Sequence, residues 1–276
     1  MFEIVGMGFS VRNKVNPNKP NEDYFICDNE LQIYIIADGV TRPDEEYTVD
    51  AESSSSQVLS KLFVDSLHSY LSSIPDENTD WKTILSNGIH FANSVVSKRY
   101  VGYSGRVPAT VFLAVIIRNG ILYFAHVGDL CGIIIRDTAR IVFTTPGTYG
   151  VERIERFDEF KSKFTQQYRY SSVLNQISSP IGYGAITGSE SVFDFISISS
   201  LKLELGDVLV LASDGLNEYL TMEKTSKLRE MKPEEIIKSS EELVSLSCGI
   251  EYSYDKPPFA RYADDKTIIK VIVWGK

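Results

Sequence analysis

The sequence predicts an α+β layered domain in which two mainly antiparallel sheets pack together with helices outside. Three observations predict it. Long apolar runs punctuated by turn residues occupy both ends of the chain, the hydrophobic period changes from two to 3.6 between residues 54 and 99, and the run "IIKVIVW" near the end is almost continuously apolar. The last pattern suits a strand covered on both faces, and strands followed by clustered helices suit a layered α+β arrangement. With 276 residues, 43% of them hydrophobic, the chain can bury a sizeable core, and one domain spanning 1–276 is the simpler organisation.

Taken in order, "FEIVGMGFSV" reads as a first strand, and the polar, proline-bearing "VRNKVNPNKPNED" as a loop. "YFICD" and "LQIYIIAD" read as two strands joined by a turn at Asp28-Asn29. Val58, Leu59, Leu62, Phe63, Leu67, Tyr70 and Leu71 then recur at helical spacing, with Ser53 or Ser54 as the cap. "WKTILSNGIHFANSVVSKRY" is a second amphipathic helix capped by Asp80. Strands return in "ATVFLAVIIRNGILYFAHVGDLCGIIIRD", where Asn119-Gly120 marks a hairpin. Residues 144–172 are charged, aromatic and poorly periodic, which reads as a surface insertion with a short helix at "ERFDEFKSKF". "SVFDFISISSLKLELGDVLVLASDG" supplies three short strands, "KPEEIIKSSEELVSLSCG" a helix with Pro233 in its first turn, and "KTIIKVIVW" the last strand.

Composition removes several function classes. Lys plus Arg is 28 against 37 Asp plus Glu, a net charge of −9, so nucleic acid is not an expected partner. Cys27, Cys131 and Cys248 are far apart and odd in number, which indicates neither a zinc knuckle nor a disulfide framework. No apolar run approaches ~20 residues, so no membrane span is expected. No basic segment followed by a long apolar core opens the chain, so cytoplasmic residence is the default expectation. There is no Gly-x-Ser-x-Gly elbow and no Gly-x-x-x-x-Gly-Lys loop. Among the histidines, His126 lies beside Val127-Gly128-Asp129 and is expected to serve packing.

The chemistry lies in carboxylates that share one setting. Asp38 follows "IYIIA", Asp129 follows "LYFAHVG", Asp214 follows "VLVLAS", and Asp264 precedes "KTIIKVIVW". Glu22 and Asp23 stand just before "YFIC". Each is at the end of an apolar strand, where strands of packed sheets can converge. Singly, each has a plain explanation: Asp-Gly after a strand is usually a turn, and Asp264-Asp265 can be a charged, solvated strand edge. Together, carboxylates meeting at one edge would repel unless cations neutralised them. Mg²⁺ or Mn²⁺ suits an oxygen-rich site with few protein ligands.

In order and approximate spacing, "NEDYF" (21–25), "IADGV" (36–40), "ATVFLAVI" with Thr110, "AHVGDL" (125–130), "LASDGL" (211–216) and "DDKTIIKVIV" (264–273) resemble the metal-dependent serine/threonine protein phosphatases of type 2C, the PPM family. The resemblance spans the chain from Asn21 to the end. It implies a four-layer α-β-β-α sandwich, two sheets flanked by helix pairs, with a two-ion Mn²⁺ or Mg²⁺ centre at one edge. By position, Asp38 would bridge the metals and the Gly39 carbonyl would bind one of them. Asp214 and Asp264 would complete the other ion's ligands. Glu22 and Asp23 match the acidic pair that orients metal-bound water or binds directly, and Asp129 matches a residue of a weaker third metal site. The implied reaction is hydrolysis of phosphoserine or phosphothreonine in protein substrates by a hydroxide held between the two ions, and the insertion at 144–172 matches the family's variable flap.

Three stretches depart from the family pattern, one of them "VGDL", with Leu130 in place of the more usual serine. Val40-Thr41-Arg42-Pro43 stands where further glycines usually follow, and Asn18 occupies the position of the phosphate-binding arginine. Lys19, Lys14, Arg12 and Arg42 are the alternative sources of positive charge for phosphate, although lysine offers a point charge rather than a bidentate fork. These departures keep open a regulatory or binding module on the same fold with weak or no catalysis, and a phosphatase for small phosphorylated molecules.

Overall fold

The computed structural model describes residues 2–13, 18–40, 53–75, 80–103, 107–144, 174–178, 182–247 and 264–275. The expected insertion, apart from Thr144, and its "ERFDEFKSKF" helix lie outside these residues, as do Lys14, Arg42 and Cys248. The strands are β1 (Phe2–Val11), β2 (Tyr24–Asp28), β3 (Ile33–Val40), β4 (Ala109–Arg118), β5 (Ile121–Val127), β6 (Cys131–Arg136), β7 (Ala139–Val142), β8 (Ser197–Lys202), β9 (Val208–Ala212) and β10 (Lys266–Gly275). The helices are α1 (Ser55–Ser72), α2 (Trp81–Arg99), α3 (Asn217–Met222), α4 (Thr225–Glu230) and α5 (Pro233–Ser247).

Two five-stranded sheets form, ordered β1-β10-β9-β6-β7 and β2-β3-β4-β5-β8. All their ladders are antiparallel. Alternation along the strands builds three apolar layers. Tyr34, Ile36, Leu113 and Val115 face inward against Leu209, Leu211, Ile269 and Val271 of the other sheet. Their neighbours Ile33, Ile35, Phe112 and Ala114 face outward onto Leu59, Phe63, Leu67, Leu85 and Ile89 of α1 and α2. On the far side Ile133, Val208, Val210 and Ile268 pack with Tyr219, Leu220, Leu228 and Ile236 of α3, α4 and α5. The result is the expected helix–sheet–sheet–helix sandwich, and it explains why the central strands read as unbroken apolar runs.

Local signals mostly act as expected. Ser54, not Ser53, caps α1, accepting from the Gln57 N–H, and Asp80 caps α2. Asn119 and Gly120 both take positive φ, 53° and 74°, the geometry a two-residue hairpin loop requires. The turn after β2 is longer than expected: Asp28 accepts from the Leu31 N–H at 2.9 Å, and β3 starts only at Ile33.

One expectation is corrected. "SVFDF" is not a strand; Glu190–Asp194 form a short 3₁₀ helix that Ser189 caps through the Ser191 N–H, so that region supplies two strands rather than three. The serine offers the backbone a local partner in place of a ladder. The short helices α3 and α4 after Asp214 were not predicted either. Among the described residues no helix is long and apolar enough to cross a membrane.

Candidate metal centre

Antiparallel pairing brings the acidic positions to one end of the sandwich. The start of β2 pairs with the end of β3, Tyr24 opposite Ala37, and the start of β4 lies beside Gly39. The end of β5 returns to the same edge, Val127 opposite Phe112. In the other sheet the start of β10 pairs with the end of β9, Ile268 opposite Ala212, and with the end of β1. Glu22 and Asp23, Asp38, Asp129, Asp214 and Asp264 therefore all stand at the same edge.

The two Asp-Gly pairs are held by close chain approach. The Asp38 carbonyl accepts from the Thr110 hydroxyl at 2.8 Å, and that hydroxyl pairs with Ser60 of α1 at 2.9 Å. A Cβ on Gly39 would lie 2.9 Å from the Cβ atoms of Glu22 and Ser56, and one on Gly215 would lie 2.2 Å from the Asp265 carbonyl oxygen. Only glycine fits beside either aspartate, so these pairs are more than turn formers.

Residues between the sheets lock the edge together. Glu22 is buried, accepting from the Ser54 hydroxyl at 2.7 Å and pairing with the Lys19 ammonium at 3.0 Å. Asp265, only 2% exposed, accepts the Asn13 N–H at 2.6 Å and the Glu22 N–H at 2.8 Å. Its own N–H donates to Asp264 Oδ1 at 2.8 Å. The Asp129 carbonyl accepts from Asn217 of α3 at 3.0 Å. Asp265 was read from sequence as a solvated edge residue, and its structural role was missed. Its partners lie some 240–250 positions away, and no local signal marks them.

The electrostatics are those of crowded acid. Burial, then repulsion from Asp23, Asp214, Asp264 and Asp129, holds the Asp38 carboxyl well above the usual carboxylate range. Asp214 is raised in the same way, by burial and then Asp129, Asp264 and Asp23. Asp23 is pushed up to about 8 by burial and then by Asp265. Both its carboxylate oxygens, and Oδ1 of Asp214, are buried without a hydrogen-bond partner; the Ser213 and Thr267 hydroxyls lie near enough to Asp23 to ease its charge, outside good hydrogen-bond geometry. Buried unpartnered acceptors are rare and costly, and here they share one space.

The set converges without forming a cage. Among the described residues no three His, Cys, Asp or Glu groups stand close enough to grip one ion as they are. The donor chemistry nevertheless fits a hard divalent cation, since every candidate donor is oxygen and three buried carboxylate oxygens, two on Asp23 and one on Asp214, lack a hydrogen-bond partner. Of the expected phosphate ligands, Lys19 is 6% exposed and ion-paired within the acids, Arg12 is exposed, and Lys14 and Arg42 lie outside the described residues; Asn18, at the position of the family arginine, is exposed. His126 is buried and stacks near Phe124.

No protein-family model and no curated protein sequence matches the chain. A sandwich of two antiparallel sheets between helix layers defines the fold class, and solved structures share that fold over full length. The Mycobacterium tuberculosis serine/threonine phosphatase PstP/Ppp aligns with a TM-score of 0.67 at 18% identity, covering 99% of both chains. The catalytic domain of PstP in complex with two manganese ions aligns at 0.65 and 18%, covering 100% of both. The PPM Ser-Thr phosphatase MsPP from Mycobacterium smegmatis, in complex with cacodylate, aligns at 0.59 and 18%, covering 98% of both. The chain has the fold of the PPM serine/threonine phosphatases.

Proposed function

We propose that the protein is a metal-dependent phosphatase acting on phosphoserine and phosphothreonine in proteins, with one domain spanning 1–276. The observation that carries this is the convergence of Asp23, Asp38, Asp129, Asp214 and Asp264 from both sheets on one edge, with buried unpartnered oxygens on Asp23 and Asp214. The shared fold and the two manganese ions of PstP support it. Asp38, the Gly39 carbonyl, Asp214 and Asp264 would hold two Mn²⁺ or Mg²⁺ ions, with Asp23 beside them and Asp129 toward a third. Bound there, the ions would activate water near neutral pH and offset charge on the phosphoryl oxygens. Thr110 fixes the backbone of Asp38, and Glu22, held by Ser54 and Lys19, orients the segment that carries Asp23. Phosphate docking falls to Arg42 or the exposed Arg12, since the Lys19 ammonium is already shared among three carboxylates. The protein works in the cytoplasm, and the insertion at 144–172, which matches the family's variable flap by sequence position, selects substrate.

Hydrolysis of a phosphothreonine peptide with Mn²⁺ tests the assignment. Asp38→Asn and Asp214→Asn are expected to lower kcat by at least about a hundredfold, as loss of a principal electrostatic group does, while the proteins stay folded. A second reading, a regulatory module with weak catalysis, is favoured by the exposed Asn18 at the position of the family arginine. Tight Mn²⁺ binding without turnover on any phosphopeptide would select it.

A further inference from the structure

Lys19 is a buried cation of the acidic edge, near Lys266, whose buried ammonium donates to the Asp264 carbonyl at 3.3 Å. Its Nζ lies 3.0 Å from Glu22 Oε2, 3.3 Å from Asp264 Oδ1 and 3.7 Å from Asp265 Oδ2. Glu22 leads into β2 of one sheet, whereas Asp264 and Asp265 lead into β10 of the other, so one ammonium ties the two sheets together at the site. The carboxylates that receive it are themselves fixed, Glu22 by Ser54 and Asp265 by the backbone N–H groups of Asn13 and Glu22. The lysine therefore has a prepared seat, and its charge sits beside a carboxylate assigned to the metals.

We propose that Lys19 is a positioning residue that acts as a built-in cation: it orders Asp264 and weakens the affinity of the adjoining carboxylates for divalent metal. The inference rests on the metal reading above and deepens it. A fixed positive charge a few ångströms from a shared carboxylate repels an incoming dication strongly in a partly buried site. It also engages Asp264 Oδ1, an oxygen of a carboxylate assigned to the metals. The centre would then load only when free metal is abundant, and the fold would not require metal, because part of the acidic charge is already balanced.

Isothermal titration of the chelator-treated full chain with MnCl₂ tests this without reference to turnover. Lys19→Gln and Lys19→Met should tighten Mn²⁺ binding by at least about tenfold, and Lys19→Arg should stay within about threefold of wild type. Lys19→Gln keeps a donor toward the carboxylates, so it decides the matter if Lys19→Met does not fold. Unchanged or weaker binding in Lys19→Gln, with wild type binding Mn²⁺, would overturn the role of Lys19 and leave the metal reading standing. No Mn²⁺ binding by any of the proteins would overturn both.

Discussion

Asp23 is the residue whose titration has the clearest consequence. Its carboxyl titrates at about 8 in the folded chain against 3.8 for an ordinary aspartate, because burial and then the Asp265 charge disfavour ionisation. The folded state therefore binds this proton more tightly than the unfolded state. The resulting stability is complete below about pH 4 and is lost as pH rises through about 8. Asp38 and Asp214, raised for the same reasons, act in the same direction. In excess chelator, the melting temperature is expected to fall by more than about 5 °C between pH 5.5 and pH 8, given a few degrees per kcal/mol for a chain of this size, and saturating Mn²⁺ should flatten or reverse that slope. A melting temperature that climbs with pH in chelator would contradict the crowding of these acids. At this scale the sequence showed Asp38 and Asp214 as strand-end residues, because Asp-Gly after an apolar strand is visible in a short window. It concealed Asp265, whose neighbours are distant in the chain, and it gave Lys19 a phosphate rather than the three carboxylates it meets.

Among the elements, α1 shows how a helix terminus serves the site. Ser54 accepts the Gln57 N–H at 3.0 Å and donates to Glu22 at 2.7 Å. The same hydroxyl starts the helix and holds the acidic segment. Ser54→Ala should cost about 1–3 kcal/mol in urea denaturation, from a lost cap and a lost hydrogen bond to a buried carboxylate. Ser53→Ala, at an exposed position, should stay within about 0.5 kcal/mol; equal losses at both would contradict the assignment of the cap. The long helices and strands were legible because their hydrophobic periods extend over many residues. The short α3 and α4 carry too few turns for a period to emerge. Lys270 illustrates another limit: it interrupts "IIKVIV" yet is 2% exposed, its ammonium donating to the Arg229 and Met231 carbonyls at the end of α4. A buried cation at a helix C-terminus meets the unpaired carbonyls there, but no short stretch of sequence shows which helix it will cap.

Across the whole molecule, the sandwich explains why carboxylates scattered from residue 22 to residue 264 can serve one chemistry. Antiparallel strands return to the same edge every second crossing, and two such sheets stacked face to face present their strand ends together. Layered architecture was legible from the alternation of strand and helix periods, whereas the pairing order of the strands was not, since β10 must insert between β1 and β9 and no local feature encodes that. As proposed above, the acidic edge is a divalent-cation centre that hydrolyses phosphate monoesters. Hydrolysis of p-nitrophenyl phosphate before and after exhaustive chelation, followed by readdition of Mn²⁺, tests it most directly. Turnover is expected to vanish in chelator and return with Mn²⁺; turnover that persists in excess chelator, or none at saturating Mn²⁺, would rule out a metal-dependent phosphatase.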